Sequence, residues 1–190
     1  MKARILTGGS LVETVFPTEV SWYRSTMSVA TKASCQTIEK VLGKSPAFRK
    51  VDDGLYVVKQ GSSLVMISVL PWKPDKGKAE RAVVRVVAQL VKGVEMEVPL
   101  ALRLLEMNAQ LRFGAFAYVP KGDVILFSHT LLGGSNLNEE ELNATVRDVA
   151  IIADEYDDRI AAQYGGQTMQ DLLEESVVEH FREAPEASSL

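Results

Sequence analysis

Apolar positions along the chain change their spacing several times, and each change predicts a new secondary-structure element. Residues 28–42 carry apolar side chains at helical spacing and are followed by Gly43, where a helix cap is expected. The candidate inner positions of this helix are Val29, Ala33, Ile38, Val41 and Leu42. Three short apolar runs follow, and Asp53-Gly54 between the first two favours a tight hairpin turn. The pattern therefore predicts a helix followed by a three-stranded meander.

Residues 81–93 fit two patterns. Arg81, Arg85 and Gln89 recur every four residues, as on a helix, whereas the apolar residues alternate, as on a strand. The alternating apolar face consists of Ala82, Val84, Val86, Ala88 and Leu90. Because side chains branched at Cβ are favoured in strands, the valines of this segment favour a strand. The preceding stretch 71–80 contains proline and glycine and predicts a loop.

The next segment predicts a helix that is apolar on two sides. Pro99 stands where the first turn of a helix tolerates proline. One apolar stripe consists of Leu100, Leu104, Met107 and Leu111, and a second consists of Leu102, Leu105 and Ala109. A helix that is apolar on most of its circumference is covered from two directions, either by a second layer of the same chain or by a second subunit.

A hairpin with two apolar faces follows, with Gly122-Asp123 at its reversal. In the first strand, the pattern places Phe113 and Val119 on one face and Phe116 and Tyr118 on the other. In the second strand, Val124 and Leu126 lie on one face, and Ile125, Phe127 and Leu131 lie on the other. An antiparallel sheet with one wet face alternates more cleanly than this, so both faces are expected to be covered.

Two capped helices complete the pattern. Asn138 is the expected N-cap of a long helix, with Glu141 three residues later as a variant of the capping box and Gly165-Gly166 at the end. Its stripe consists of Leu142, Val146, Val149, Ala153, Tyr156 and Ile160. Thr168 and Asp171 are the expected cap of a C-terminal helix, whose stripe consists of Met169, Leu172, Leu173, Val177 and Phe181.

These elements divide the chain into three parts. Residues 1–27 do not share the regular pattern and form either an arm that packs on the body or a partner, or a poorly ordered segment. Residues 28–166 form the main domain, and residues 167–190 form an amphipathic helix and a polar tail. The fold class is α+β, with an antiparallel sheet, helices in the order α-β-β-β-α-β-β-α and an extra C-terminal helix.

Composition narrows the range of partners. The chain has 190 residues, a net charge of −4 and a pI near 5.3, and its basic residues are scattered rather than clustered. This balance argues against nucleic acid or an anionic membrane as the main partner. The single cysteine, Cys35, leaves no internal disulfide, and no apolar run reaches the ~18 residues of a membrane span. We therefore expect a cytoplasmic protein without a membrane segment.

The side chains that could take part in catalysis or metal binding do not form a recognisable set. Asp154, Asp157 and Asp158 share one helical face, which is expected to be solvated, and neither metal ligands nor a phosphate-binding loop accompany them. His129 lies in a strand row next to Phe127, and His180 lies in the tail helix. We therefore predict no catalytic residue, no metal and no cofactor, and a protein that is not an enzyme. The alternative is a ligand- or metal-sensing regulatory domain that uses His129 and the carboxylates of residues 154–158.

The order of elements resembles the fold of type III secretion chaperones, and residues 28–166 resemble the bacterial YbjN family, which shares that fold. The resemblance is carried by Met107-Asn108-Ala109, by Phe113-Gly114, and by Ala153-Asp154 with Tyr156-Asp157. It implies a protein-binding module, usually homodimeric, and no catalytic set. The segment before Ser28 and the C-terminal helix lie outside the resemblance.

The leading hypothesis is a chaperone-like or adaptor protein that binds a partner polypeptide as a homodimer. The expected client is an unidentified protein or peptide that adds a strand to a sheet edge or docks as a helix in a groove. The candidate dimer or partner interface consists of Leu100, Leu104, Met107, Leu111, Phe113, Phe116, Tyr118, Phe127 and His129. Asn108 is expected to satisfy backbone groups where the helix turns into the next strand.

Overall fold

A computed structural model of the chain describes residues 27–73 and 79–175. Within these residues the helices are α1 (Val29–Leu42), α2 (Val98–Gln110) and α3 (Glu139–Tyr164), and residues 169–175 are also helical. The strands are β1 (Phe48–Asp52), β2 (Leu55–Gln60), β3 (Ser63–Trp72), β4 (Arg81–Lys92), β5 (Ala115–Val119), β6 (Val124–Leu132) and β7 (Gln167–Thr168). A short 3-10 turn, Gly134–Asn136, joins β6 to α3.

The described strands form one antiparallel sheet in the order β1-β2-β3-β4-β6-β5, with β7 paired to the end of β4. This arrangement confirms the predicted α+β fold class and the predicted order of elements. The ambiguous segment 81–93 is a strand, as its alternation indicated. The preceding strand runs through Trp72, two residues into the predicted loop, and the pairing of β7 with β4 was not predicted.

The core lies on one face of the sheet, here called the inner face, beneath α1 and α3. The five alternating residues of β4 from Ala82 to Leu90 all point to this face and are at most 1% exposed. Directly opposite them on β3 are Val65, Ile67 and Val69, because paired residues of antiparallel strands share a face. Ile38 of α1 and Leu142 and Val149 of α3 pack into this core from the helices, and all three are fully buried.

The other face of the sheet, here called the outer face, carries a smaller apolar cluster. Leu55 and Val57 of β2 and Leu64 and Met66 of β3 share this face. Met169 and Leu173, from the helical residues 169–175, pack against these side chains. The predicted boundary at residue 166 therefore lies just before a segment that contacts the sheet, while residues 1–26 and 176–190 lie outside the described residues.

Helix α1 begins and ends where the sequence predicted, and the predicted inner residues Ile38 and Leu42 are buried, but Val29 is not. The side chain of Ser28 caps the helix by accepting a hydrogen bond from the backbone N–H of Thr31. Val29 was expected to face inward and is 86% exposed, since it shares a helix side with the exposed Lys32 and Gln36. A polar residue, Ser34, is fully buried instead, and its Oγ accepts a 2.6 Å hydrogen bond from the backbone N–H of Gly134.

Gly114 lies at the junction where the chain leaves α2 and enters β5. Its φ of 70° belongs to the left-handed region, which side chains with a Cβ adopt at a cost of about 1–2 kcal/mol. A Cβ at this position would also lie 2.5 Å from Cζ of Phe127, whose ring is fully buried in the core. Both the conformation and the close approach of Phe127 therefore require glycine here.

We expect Gly114→Ala to lower the free energy of unfolding by about 2–4 kcal/mol, because strain and a clash with Phe127 add together. Gly93 provides a matched control, since its φ is 76° and a Cβ there would meet nothing within 4 Å. Gly93→Ala should cost only the strain, about 1–2 kcal/mol. Urea denaturation of both variants measures the difference. Equal losses would mean that the contact with Phe127 is relieved without cost.

Candidate functional site

Helix α2 is apolar on two opposite sides, and only one of them is covered by the described residues. Leu100, Leu104 and Met107 are at most 7% exposed and belong to the main core. On the opposite side Val98, Leu102 and Leu105 are 72%, 55% and 64% exposed. Their spacing of four and three residues places them in one line along the helix, which we call the α2 stripe.

The structure distributes the nine predicted interface residues between core and surface. Five are buried within the chain itself, namely Leu100, Leu104, Met107, Phe116 and Phe127. Leu111, Tyr118 and His129 are half-buried, and Phe113 is 40% exposed. The large apolar side chains of α2 that remain accessible to a partner are therefore those of the α2 stripe. Leu102 and Leu105 stood out in the sequence as a second stripe, whereas Val98 was missed because it precedes the proline of the first turn.

Aromatic side chains hold the end of α2 and the β5–β6 hairpin together. The rings of Phe116 and Phe127 meet edge to face with centroids 5.2 Å apart, and Tyr156 of α3 contacts Phe116 in the same manner at 5.3 Å. Phe113 stacks on the imidazole of His129 with centroids 5.2 Å apart. His129 thus packs as an aromatic group, and its Nδ1 has no hydrogen-bond partner among the described residues.

Asn108 connects α2 to the outermost strand on this side of the sheet. Its side-chain amide donates to the carbonyl oxygen of Phe116 at 3.1 Å, and its Oδ1 accepts from the N–H of Phe116 at 2.7 Å. The amide therefore imitates a neighbouring strand at the free edge of β5. This confirms the prediction that Asn108 satisfies backbone groups at the turn into the strand.

We expect Asn108→Leu to destabilise the fold by about 1–2 kcal/mol, because Phe116 loses both hydrogen bonds at once. Asn143 on α3 is exposed and makes no hydrogen bond to another described side chain, so Asn143→Leu is the matched control. Denaturant midpoints for the two variants measure the effect. The interpretation of Asn108 as an edge cap would be wrong if both substitutions had the same small effect.

A polar cluster joins α1 to the β1–β2 hairpin. The buried hydroxyl of Tyr56 donates to Oε1 of Glu39 at 3.0 Å, and Nζ of Lys50 lies 3.1 Å from Glu39 and 2.9 Å from Asp53. The hydrogen bonds to Asp53 and Glu39 raise the pKa of Lys50 to about 12. Burial raises the pKa of the neighbouring Cys35 thiol, which keeps it protonated and poorly nucleophilic. This cluster therefore stabilises the packing of α1 against the β1–β2 hairpin and does not form a reactive site.

The alternative site at His129 and the carboxylates of residues 154–158 is not supported. Asp154 accepts a hydrogen bond from Ser62 in the β2–β3 turn, whereas His129 lies on β6, with β4 between β6 and β3. Two strand spacings separate β3 from β6, or about 10 Å. In residues 27–73 and 79–175 no group of three His, Cys, Asp or Glu side chains is placed to hold a metal ion.

The expectation that Asp154, Asp157 and Asp158 form one solvated face is wrong for Asp157. Asp157 is 6% exposed, because it follows Ala153 and precedes Ile160 on the side of α3 that faces the sheet. Burial raises the pKa of this carboxyl above its usual value of 3.8, and a hydrogen bond from the backbone N–H of Asp158 partly opposes the rise. The negative charge of Asp157 therefore costs stability at neutral pH.

This pKa shift predicts a pH-dependent effect of Asp157→Asn. The folded chain binds this proton more tightly than the unfolded chain, so the carboxyl lowers stability as pH rises through the folded pKa. We expect Asp157→Asn to be more stable than the wild type at pH 7, with a difference that shrinks toward pH 4 as the wild type becomes protonated. Urea denaturation across this pH range measures it. Asp158→Asn, at an exposed neighbour, should change stability much less at every pH.

None of the helices in the described parts of the chain combines the length and the apolar character needed to span a bilayer.

Comparison with models of known protein families places this chain in a family. The model of a family described as T3SS (YopN, CesT) and YbjN peptide-binding chaperone 1 matches residues 34–172, well over half of the 190 residues. The matched range begins within α1 and ends in the helical residues that follow β7. No curated protein matches the chain.

Proposed function

The chain belongs to the family of type III secretion and YbjN peptide-binding chaperones, and from this premise we propose that it binds a partner polypeptide as a homodimer. The family indicates a peptide-binding, chaperone-like role and suggests that the protein is not an enzyme. The dimer and the client are our proposals, and the observation that carries the dimer is the exposed α2 stripe.

The magnitude of the apolar burial supports a dimer formed through α2. Burying a valine or leucine side chain contributes about 1.5–3 kcal/mol, and a symmetric contact buries the three residues of the α2 stripe twice. The six side chains together contribute on the order of 10 kcal/mol, similar to the ~4–15 kcal/mol that association costs. The stripe can therefore be the centre of such an interface, and its loss should abolish the dimer.

The residues around the α2 stripe suit the rim of an interface. Arg103 and Glu106, on the neighbouring side of the helix, lie 3.6 Å apart as an exposed ion pair. Phe113, just beyond the end of α2, adds an aromatic side chain that is 40% exposed. An apolar centre with a polar rim is the usual composition of a protein interface.

The client would bind elsewhere on the sheet. The backbone of β5 is already bonded to Asn108 at Phe116, which disfavours the addition of a strand at that edge. The inner face is filled by α1 and α3, and Met169 covers part of the outer face at Met66. The accessible parts of this side of the described sheet are therefore the β1 edge and the half-buried side chains of the outer face next to it. We propose that the polypeptide is held there, away from the α2 stripe.

We expect the wild type to be a dimer at micromolar concentration and Leu102→Asp with Leu105→Asp to be a monomer with an unchanged circular dichroism spectrum. Light scattering coupled to size-exclusion chromatography measures the mass of both. Ile151→Asp is the matched control, since Ile151 on α3 is 51% exposed, close to the 55% of Leu102, and lies outside the stripe.

A monomeric wild type at this concentration would contradict the proposed dimer, and so would an equal effect of Ile151→Asp. The client-binding part is tested separately with a fluorescein-labelled, permanently unfolded polypeptide titrated with the full chain. Saturable binding supports the proposal, whereas no binding up to high micromolar concentration contradicts it.

A further inference from the structure

A shallow groove of about 510 Å³ lies at the corner of the sheet formed by β1, β2 and the β2–β3 turn. We call it the β1 groove. It is lined by Pro46, Ala47, Arg49, Val57, Lys59, Gly61 and Leu64. Arg49 pairs with Val57, and Lys59 pairs with Leu64, so these four side chains share the outer face. The groove therefore follows the direction of β1 and β2 and has an apolar floor between two basic side chains.

The two basic residues of the β1 groove lack acidic partners among the described residues. Neither Arg49 nor Lys59 forms an ion pair there, whereas the adjacent Lys50 is held by Glu39 and Asp53 on the opposite face. Nη1 of Arg49 donates to the carbonyl oxygens of Pro46 and Phe48, which fixes the guanidinium beside the strand edge. The carboxylate of Asp154, beside Gly61 of the groove lining, accepts a hydrogen bond from Ser62.

The edge of β1 offers backbone groups beside the same groove. The N–H of Lys59 donates to the carbonyl oxygen of Ala47 at 3.2 Å, which makes Ala47 and Lys59 a hydrogen-bonded pair. Because such pairs alternate along an antiparallel ladder, the backbone N–H and C=O of Lys50 point away from β2. The outward N–H and C=O of Phe48 are already bonded to Ser45 and Arg49. An extended peptide alongside β1 could therefore bond to the backbone at Lys50 and place alternate side chains over the β1 groove.

The charge of the site selects among possible occupants. A second copy of the chain, which has a net charge of −4, is proposed to bind through the α2 stripe. If it also bound at the β1 groove, this second contact would bury Arg49 and Lys59. Nucleic acid binds through many phosphate contacts, whereas two cations line this groove. An extended peptide with carboxylates beside apolar side chains matches both the floor and the charges.

We propose that the β1 groove binds an extended acidic segment of the partner polypeptide, with apolar side chains on Val57 and Leu64 and carboxylates on Arg49 and Lys59. This inference rests on the proposed peptide-binding function and names the chemistry of the client segment. Specificity for acidic clients then comes from two residues at one corner of the sheet.

The test measures fluorescence anisotropy of a labelled peptide of about ten residues that alternates valine and glutamate. The peptide is titrated with the full chain, with Arg49→Gln plus Lys59→Gln, and with Lys32→Gln plus Arg112→Gln. The last pair removes the same charge at exposed basic residues outside the groove. We expect the groove variant to bind about tenfold more weakly than the wild type, the control variant to bind like the wild type, and added salt to weaken only the wild type and the control.

The outcomes separate this inference from the proposed function. A peptide with glutamine in place of glutamate should bind as weakly to the wild type as the glutamate peptide binds to the groove variant. Equal binding of the two peptides, or of the two variants, would overturn the inference while the unfolded polypeptide still bound. Tighter binding of a single-stranded oligonucleotide through Arg49 and Lys59 would also overturn it. Failure of both the glutamate peptide and the unfolded polypeptide would overturn the proposed function as well.

Discussion

The two-sided backbone pairing of β4 is the interaction on which the remaining structure depends. β4 bonds to β3 along one edge and to β6 along the other, and β7 takes the β3 side at Val91 and Lys92. Its inward side chains are covered by α1 and α3. Because both edges and one face of β4 are used within the chain, a polypeptide can reach the described sheet at its outer strands or on its outer face. These positions are not equivalent, since β5 is bonded to Asn108 and β1 lies beside the β1 groove.

Helix α2 has one apolar side that is buried in the core and a second apolar side that is exposed. Leu100, Leu104 and Met107 join the core, while Leu102 and Leu105 stand in water on the opposite side. An exposed polar side would have served a monomer equally well, so the apolar stripe is more easily explained by assembly than by folding. The surfaces proposed for the second copy and for the client lie on different elements, α2 for one and β1 with β2 for the other. Binding of a client need not disturb the dimer.

Periodicity predicted the elements that are governed by one dominant face. The alternation from Ala82 to Leu90 identified a buried strand, and the residues from Leu142 to Ile160 identified the inner side of α3. Contacts between distant segments were not predictable in this way. Burial of Asp157, the pairing of β7 with β4 and the hydrogen bond from Gly134 to Ser34 depend on where other elements pack. The β1 groove is of the same kind, since Arg49 and Lys59 are unremarkable surface residues until the β1–β2 pairing places them on one face.

The strand order also determines when the sheet can be completed. β4 pairs with β6 rather than with β5, so residues 93–123 are enclosed as a loop before the second edge of β4 gains its partner. Pairings between distant segments form late, because the entropy of loop closure is lost first. During synthesis β4 emerges before β6 exists, and an apolar strand of 12 residues then has an open edge. During synthesis this chain, a member of a family of peptide-binding chaperones, therefore has an unpaired strand edge to which other polypeptides can bind.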